Sequence, residues 1–416
     1  MQHLSFNQIV VNVMVLFMIL GGFDKITKKR FNLGLADEFD AGFQALGHLA
    51  LSMLGILSLA PVLTKGLIFV FGPIYNFIGA DPAMMAGTFL AMDMGAYSVA
   101  HSMTTSKEVA DFSSLILGGM MGTTLVFTIP VAISILNKKD FMYLSEGILY
   151  GMITIPIGCI AGGLAAGYDL KMILVNLIPV VGMSILIIVG LKLVPVKMIK
   201  GFRIFGDLVT AMITIALMAG IVEMLTGIVI IPGMAPLSDG FGVIGHIAIV
   251  LAGAYPMVSF ITKKVKKPLQ SLGVAIGINK QSVAGLVAST ANNIPMLGMY
   301  KNMNERGKII NAAFVVSGTF IIGDDLAFTA SVDKSMIFPM IFGKAVGGIT
   351  AAMVAWAATK ERADSDEINY FSKNRNTPSK KRYLTTQFTL PLMVSRDFEK
   401  GFPNTKGNCV QKQKID

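Results

Sequence analysis

Eleven stretches of this chain are each long and apolar enough to cross a bilayer as a helix, and that constrains everything else about it. A crossing helix needs about 20 mainly apolar residues. Such runs lie near 7–23, 41–64, 82–103, 112–137, 142–167 and 171–194, and again near 205–231, 240–262, 281–300, 308–330 and 335–359. Of the 416 residues, 53% are hydrophobic and 14% charged, against roughly 25% charged in a soluble domain. A soluble enzyme, a disordered chain and a coiled coil are therefore excluded. The first run has neither a basic flank nor a small-residue cleavage site after it, so it reads as a retained span. The expected fold is all-α and polytopic.

Two further apolar pieces, Gly66–Gly79 and Leu269–Asn279, are too short to cross a core about 30 Å thick. The first contains Gly72-Pro73 and the second is spaced by Gly273 and Gly277. Each precedes a span rich in small and polar residues, which predicts two broken or re-entrant segments beside about eleven transmembrane helices.

Lys and Arg orient such a chain. Basic clusters fall at Lys25–Arg30, Lys138-Lys139, Lys192–Arg203, Lys263–Lys267 and Lys301–Lys308. All five lie on one face if each short segment and its long neighbour return the chain to the face it left. The N-terminus is then outside and residues from 360 onward are cytosolic. The tail 361–416 has no apolar span and reads as a solvated basic segment. From Lys360 it holds 12 Lys/Arg and 7 Asp/Glu, which is half of the net +10. With the remaining basic charge in loops on one face, a nucleic-acid partner is not indicated and the lipid bilayer is the expected environment.

The two halves resemble each other. Gly42-Phe43, Gly47-His48 and Thr64-Lys65 recur 198 residues later as Gly240-Phe241, Gly245-His246 and Thr262-Lys263. Gly122-x-x-Leu125-x-Phe127-Thr128 recurs 201 residues later as Gly323-x-x-Leu326-x-Phe328-Thr329. The run 171–194 has no counterpart, so one extra crossing separates the halves and the second enters from the opposite face. The expected organisation is a first transmembrane repeat (1–170), a linking helix and basic cytoplasmic loop (171–204), a second, inverted repeat (205–360) and the tail (361–416). Inverted repeats with broken helices typify secondary transporters, whose sites lie between the repeats near the midplane. A duplicated channel or scaffold is the competing reading.

Ionisable groups deep in spans are costly and point to function. Asp93, Tyr97 and His101 follow one another at i+4 and are expected on one helix face, with Thr88 about a turn and a half earlier. The equivalent span reads Ser289-Thr290-Ala291-Asn292-Asn293-Ile294-Pro295. Asn292 and Asn293 offer amide donors and carbonyl acceptors, and Pro295 frees a backbone carbonyl from the helix ladder. The third group is Asp324-Asp325. Adjacent residues project about 100° apart, so at most one of these carboxylates need face the same cavity; if the span ends near Ala327, one or both lie at the water interface. His48 and His246 read as helix-packing or cavity-lining residues, and Lys344 as an interruption of a flanking helix. Cys159 and Cys409 are too far apart in sequence to suggest a disulfide framework or a metal site. No nucleotide-binding loop, nucleophile elbow or metal motif is present. No cofactor, metal or catalytic group is expected, and the chain is not read as an enzyme.

The segments Gly42-Phe43…Gly47-His48-Leu49-Ala50, Leu90–Tyr97, Ala291-Asn292-Asn293-Ile294 and Gly323–Thr329 resemble those of the ethanolamine permeases of bacterial ethanolamine-utilisation pathways. The likeness runs from about residue 5 to 360. It implies an integral inner-membrane importer of ethanolamine. A protonated amine with a hydroxyl needs a carboxylate, an aromatic face and a hydroxyl partner. Asp93 is then the expected counter-ion and Tyr97 the ring face. Asn292 and Asn293 would bind the hydroxyl or remaining ammonium protons, Asp324 or Asp325 would neutralise or relay, and Thr88 and Ser289 would complete the polar lining. Potential-driven uniport of the cation is the expected mode. A proton- or sodium-coupled transporter of another small amine or amino acid is the alternative. Whether the protein forms a homo-oligomer is left open.

Overall fold

The computed structural model describes residues 5–27, 30 and 33–359, without the side chains of 48, 265–272 and 274–275. The expected basic tail 361–416 lies outside the described residues. Each regular element among the described residues is helical. Eight stretches there are long and apolar enough to cross a membrane: Phe6–Ile26, Ala36–Ile78, Lys107–Ile135, Lys138–Ala165, Leu170–Leu193, Pro195–Thr226, Leu237–Lys264 and Lys334–Ala358. The three remaining expected spans, near 82–103, 281–300 and 308–330, are present as interrupted helices.

In chain order, α1 (Phe6–Ile26) leads to α2 (Ala36–Ile78), which has 43 residues. The short α3 (Met84–Phe89) and α4 (Ala96–Met103) follow. Next, α5 (Lys107–Asp111) runs into wide, i→i+5 helix over Phe112–Gly122 and Thr124–Thr128 and ends as α6 (Ile129–Ile135). Then come α7 (Phe141–Ala165), α8 (Leu170–Leu193), α9 (Pro195–Thr226) and α10 (Leu237–Ala275). Finally α11 (Lys280–Ser289), α12 (Asn293–Met299), α13 (Glu305–Gly318), α14 (Asp324–Val332) and α15 (Ile337–Ala358) complete the chain.

The two short apolar pieces are not separate segments. Gly66–Gly79 forms the last turns of α2, which continues through Pro61 and Pro73 and stops where Gly79 adopts φ +79°. A proline inside a helix removes one hydrogen bond and can kink the helix without ending it, so Gly72-Pro73 overstated the break. Likewise α10 continues through Lys263–Lys267 into the second piece. At about 1.5 Å per residue, α2 is about 64 Å long, more than twice the hydrocarbon thickness.

The breaks lie instead within the polar spans. Thr104 Oγ1 donates to Asp81 Oδ2 at 2.7 Å, so the chain returns after α4 to where it entered α3. In the same way Asn279 Nδ2 donates to the Asn302 carbonyl at 2.8 Å and Asn304 Nδ2 to that of Gly277 at 2.9 Å. The α3–α4 and α11–α12 pairs are therefore hairpins whose tips lie inside the fold.

Packing contacts recur crosswise at the sequence offset. A Cβ at Gly55 in α2 would meet the Ile213 carbonyl of α9, and one at Gly253 in α10, 198 residues later, the Met14 carbonyl of α1. Gly42 of α2 lies against the Leu251-Ala252 backbone of α10, and Gly240 of α10 against Leu54 of α2. Small residues at these crossings let apolar helices approach to backbone contact, where dispersion and not water exclusion holds them.

Candidate functional site

The first hairpin turns through Leu90 and Ala91, both extended, a single 3₁₀ turn over Met92–Met94, and Gly95 at φ +102°. Only a residue without a Cβ takes that angle freely. A Cβ there would also strike Ile56 of α2. Asp93 thus sits on the hairpin tip and not on α4. The expected shared face holds for Tyr97 and His101 alone, whose ring centroids are 4.1 Å apart with the planes tilted by 37°. Those two look elsewhere: His101 Nε2 is 3.2 Å from Asp111 Oδ1, and Tyr97 meets Phe328 edge-on at 6.0 Å.

At the second tip, Asn292 Oδ1 accepts the Ile294 N–H at 2.9 Å and so caps α12. Asn293 is fully buried; its Nδ2 donates to Thr128 Oγ1 at 3.1 Å, and its Oδ1 is buried without a hydrogen-bond partner among the described residues. Pro295 lies in the first turn of α12, where its missing N–H removes no helical hydrogen bond, so it does not free the carbonyl the sequence suggested, and Gly323 closes against the Ala291 carbonyl. At the first tip Gly122 closes in the same way on the Leu90 carbonyl. Both residues of this second pair lie 201 positions before those of the first.

The break between α13 and α14 lies alongside the second tip. Phe320 N–H donates to the Ser289 carbonyl at 3.1 Å and Ile322 N–H to that of Thr290 at 3.0 Å. Phe320 is held at φ +59°, a conformation that a non-glycine residue keeps only where its surroundings impose it. Ser289 and Thr88 are buried and bond their own helices, Ser289 Oγ to Leu286 O at 2.9 Å and Thr88 Oγ1 to Met84 O at 2.8 Å. Their side chains support the tips. His246 is exposed and bonds the Gly242 carbonyl at 2.8 Å, so it is not a packing residue; the side chain of His48 is outside the described set.

Asp324 and Asp325 open α14 directly after the break. They are not at the end of a span, because α14 continues to Val332. Asp324, half-buried, accepts a 2.8 Å hydrogen bond from Tyr255 Oη of α10. Asp325 is buried, and its Oδ2 lies 2.6 Å from Nζ of Lys344, which is 0% exposed and also donates to the Gly119 carbonyl. Asp93 is half-buried within electrostatic reach of Asp324 and Lys344, and the main-chain amides of Asp93 and Met94 face its carboxylate. No Lys or Arg pairs with it among the described residues. The structure thus brings together Asp93, Asp324 and Asp325, adds Tyr255 and Lys344, and places Tyr97 apart from them. Lys344 carried a sequence signal, a lone cation inside an apolar span. Tyr255 carried none.

Two cavities open elsewhere. One of about 250 Å3 is lined by Lys107, Asp111, Tyr168 and Ser335, among others, and a wider one of about 580 Å3 by Asp81, Asp169, Lys171 and Asn176, among others. Neither is lined by the three interior aspartates. Beside the first, Lys107 bridges Asp111, at 2.5 Å, and Asp333.

Eight helices among the described residues, each long and apolar enough to cross a membrane, define a multi-pass helical membrane protein. Residues 6–358 match the family described as "Ethanolamine utilisation protein, EutH". The chain belongs to that family. It is 52% identical over 351 residues to "Probable ethanolamine permease EutH" of Listeria monocytogenes, covering 84% of this chain and 94% of that one. It is 47% identical over 361 residues to "Uncharacterized protein YxeR" of Bacillus subtilis, covering 86% and 97%. The "Probable ethanolamine permease EutH" of Escherichia coli is 44% identical over 388 residues, covering 85% and 95%. No solved structure matches.

Proposed function

We propose that this chain is an ethanolamine permease of a bacterial inner membrane, importing the protonated amine through the centre between its two hairpins. The observation that carries the reading is the pair of half-buried carboxylates, Asp93 on one hairpin tip and Asp324 at the helix break, of which Asp93 has no basic partner among the described residues. A small cation with three donors satisfies that deficit. A zwitterion would bring a carboxylate into the same acidic centre. The names of the relatives supply the substrate. Asp93 is the counter-ion and Asp324 the second acceptor. Asn292 and Asn293, at the other tip, are the partners for the hydroxyl, and Asp325 serves Lys344.

The crosswise contacts at offsets of 198 to 201 residues support an inverted repeat of the two halves 1–170 and 205–360, joined by 171–204. Folding each hairpin back on itself also supports the orientation. With both hairpins returning to the face they left, the basic clusters lie on one side, the N-terminus is outside and the chain from 360 is cytosolic. Import of a cation needs no coupling ion. A potential of 100 mV, inside negative, supplies about 2.3 kcal/mol per charge, or about fifty-fold accumulation at 1.4 kcal/mol per decade.

The test is uptake of labelled ethanolamine by proteoliposomes under an imposed potassium diffusion potential, without proton or sodium gradients. Uniport predicts accumulation that follows the potential. Uptake that ignores the potential and requires a proton or sodium gradient would replace uniport by coupling. No uptake under any gradient would remove the transport reading.

A further inference from the structure

An imidazole on the return arm of the first hairpin faces two acceptors. His101 Nδ1 lies 2.9 Å from the Tyr97 carbonyl oxygen on its own helix, α4, and Nε2 lies 3.2 Å from Asp111 Oδ1 on α5. A neutral ring carries one N–H, so either tautomer sets a bare ring nitrogen against an oxygen lone pair. Only the imidazolium donates to both. The surrounding charges agree with it. Asp111 is 1% exposed; its Oδ2 takes Lys107 Nζ at 2.5 Å, and its Oδ1 faces only His101 among the described residues. Lys107 also binds Asp333, in the turn before α15. Two carboxylates thus share one ammonium, and a protonated His101 supplies the missing charge. Tyr97 and Tyr168 lie within electrostatic reach of the same cluster, as phenols that are neutral near pH 7. Glu108 of α5 is also within reach of Tyr168, but it is exposed and water and salt screen it.

This arm carries the Asp93 tip. The Met94 and Ala96 N–H groups both donate to the Ala91 carbonyl, at 3.0 and 3.1 Å, so the tip and the first turn of α4 are one piece. The arm is eight residues long, Ala96–Met103, and His101 fastens it near its far end, where Thr104 Oγ1 donates to Asp81 Oδ2 at 2.7 Å. Beside the imidazole, Tyr97 meets Phe328 of α14, the helix that Asp324 opens. We propose that His101 is a positioning residue that acts as an imidazolium: held between the Tyr97 carbonyl and Asp111, it sets the return arm of the hairpin and, through it, the Asp93 carboxylate. The proposal rests on the reading of Asp93 as the substrate's counter-ion. Loss of one ring proton turns one of the two hydrogen bonds into a repulsive contact and loosens the arm from α5. Ethanolamine binding therefore weakens as pH rises through the range in which imidazoles titrate, about pH 5–8. By analogy with lysine, at about 10.4, the substrate amine stays charged over that range. A carboxylate still losing its proton there would strengthen cation binding, which is the opposite trend.

The full-length parent, His101→Arg and His101→Phe are compared by equilibrium binding of ethanolamine in detergent at about pH 6 and pH 8, with denaturation midpoints measured alongside. Arginine keeps a permanent charge and several donors; phenylalanine keeps a ring against Tyr97 and has no donor. The parent should bind about fivefold more weakly at the higher pH. His101→Arg should stay within about threefold of the parent's low-pH affinity at both values, and His101→Phe should be about fivefold weaker than that affinity at both. A parent affinity that is unchanged or rises with pH overturns the proposal. So does a folded His101→Phe that binds like the parent at low pH, or a folded His101→Arg that keeps the parent's pH dependence. Midpoints that move while affinities do not would mean a merely structural tie and would also overturn it. Should one variant not fold, the parent profile and the other variant decide. A parent that binds no ethanolamine at either pH overturns instead the reading on which the proposal rests.

Discussion

The pair of Lys308 and Asp140 ties the start of α13 to the turn before α7, and removing one partner has a calculable cost. Lys308 Nζ lies 2.7 Å from Asp140 Oδ1, with the two side chains 11% and 1% exposed. The ammonium also sits 5.2 Å from the centroid of the Tyr143 ring. Asp140 Oδ2 is buried with no hydrogen-bond partner among the described residues. Lys308→Met keeps most of the aliphatic stem and deletes the charge, leaving a buried carboxylate without its cation. Such a change costs about 3–5 kcal/mol. We take about 3 kcal/mol, because Asp140 lies in a turn at a helix end and can relax. At about 2–4 °C per kcal/mol for a large domain, the midpoint should fall by about 6–12 °C. The assay is thermal denaturation of the detergent-solubilised protein followed by loss of helical circular dichroism. Lys308→Met combined with Asp140→Asn should recover most of the loss, since a neutral pair leaves no unmatched charge. A single variant within about 1 kcal/mol of the parent would refute the reasoning, as would a double variant as unstable as the sum of its singles.

Three further outcomes are expected. Gly55→Ala and Gly253→Ala should each destabilise by about 1–3 kcal/mol, because each places a methyl against a backbone carbonyl of α9 or α1. Gly182→Ala, which meets nothing within 4 Å in α8, should be neutral or stabilising by up to about 1 kcal/mol; equal losses at all three would remove the crosswise-contact argument. Tyr255→Phe should destabilise the protein by the worth of a hydrogen bond to a carboxylate, about 1.5–3 kcal/mol, and an unchanged denaturation midpoint would show that Asp324 does not depend on it. Burial alone would raise the Asp333 carboxyl, but the hydrogen bonds from Lys107 and Ser335 outweigh it and hold it below the usual carboxylate range. A depressed folded value stabilises above the unfolded value and is lost as pH falls through the folded one. The parent should therefore lose stability in acid below about pH 4, and Asp333→Asn should flatten that limb; an identical acid limb in both would contradict the assignment.

Much of this fold was legible because bilayer thickness and apolar run length are tied by helix geometry. Each of the eleven runs corresponds to a helix or an interrupted helix. The misreading at Gly66–Gly79 and Leu269–Asn279 has one cause: a Gly-Pro pair and spaced glycines were taken as breaks, while α2 and α10 continue through the first piece and into the second. The true breaks were written in weaker signs, the glycine after Asp93 and the Ser-Thr-Ala-Asn-Asn run. Backbone turns there move side chains off the helical register, which is why Asp93 and Tyr97 part company although their spacing is i+4. The acidic centre was legible residue by residue, because a carboxylate inside an apolar span has few structural excuses. Its partners were harder to read. Tyr255 reaches Asp324 from a helix 69 positions away in sequence, and only tertiary structure reveals such a contact.

The central claim is that Asp93, on the first hairpin tip, holds the substrate's ammonium. Equilibrium binding of ethanolamine to the purified parent and to Asp93→Asn, by calorimetry in detergent at fixed salt, tests it most directly. Truncating one partner of a desolvated charge pair costs about 2–5 kcal/mol, so affinity should fall by about thirtyfold or more while the denaturation midpoint stays near that of the parent. A folded Asp93→Asn that binds ethanolamine as tightly as the parent would contradict the account.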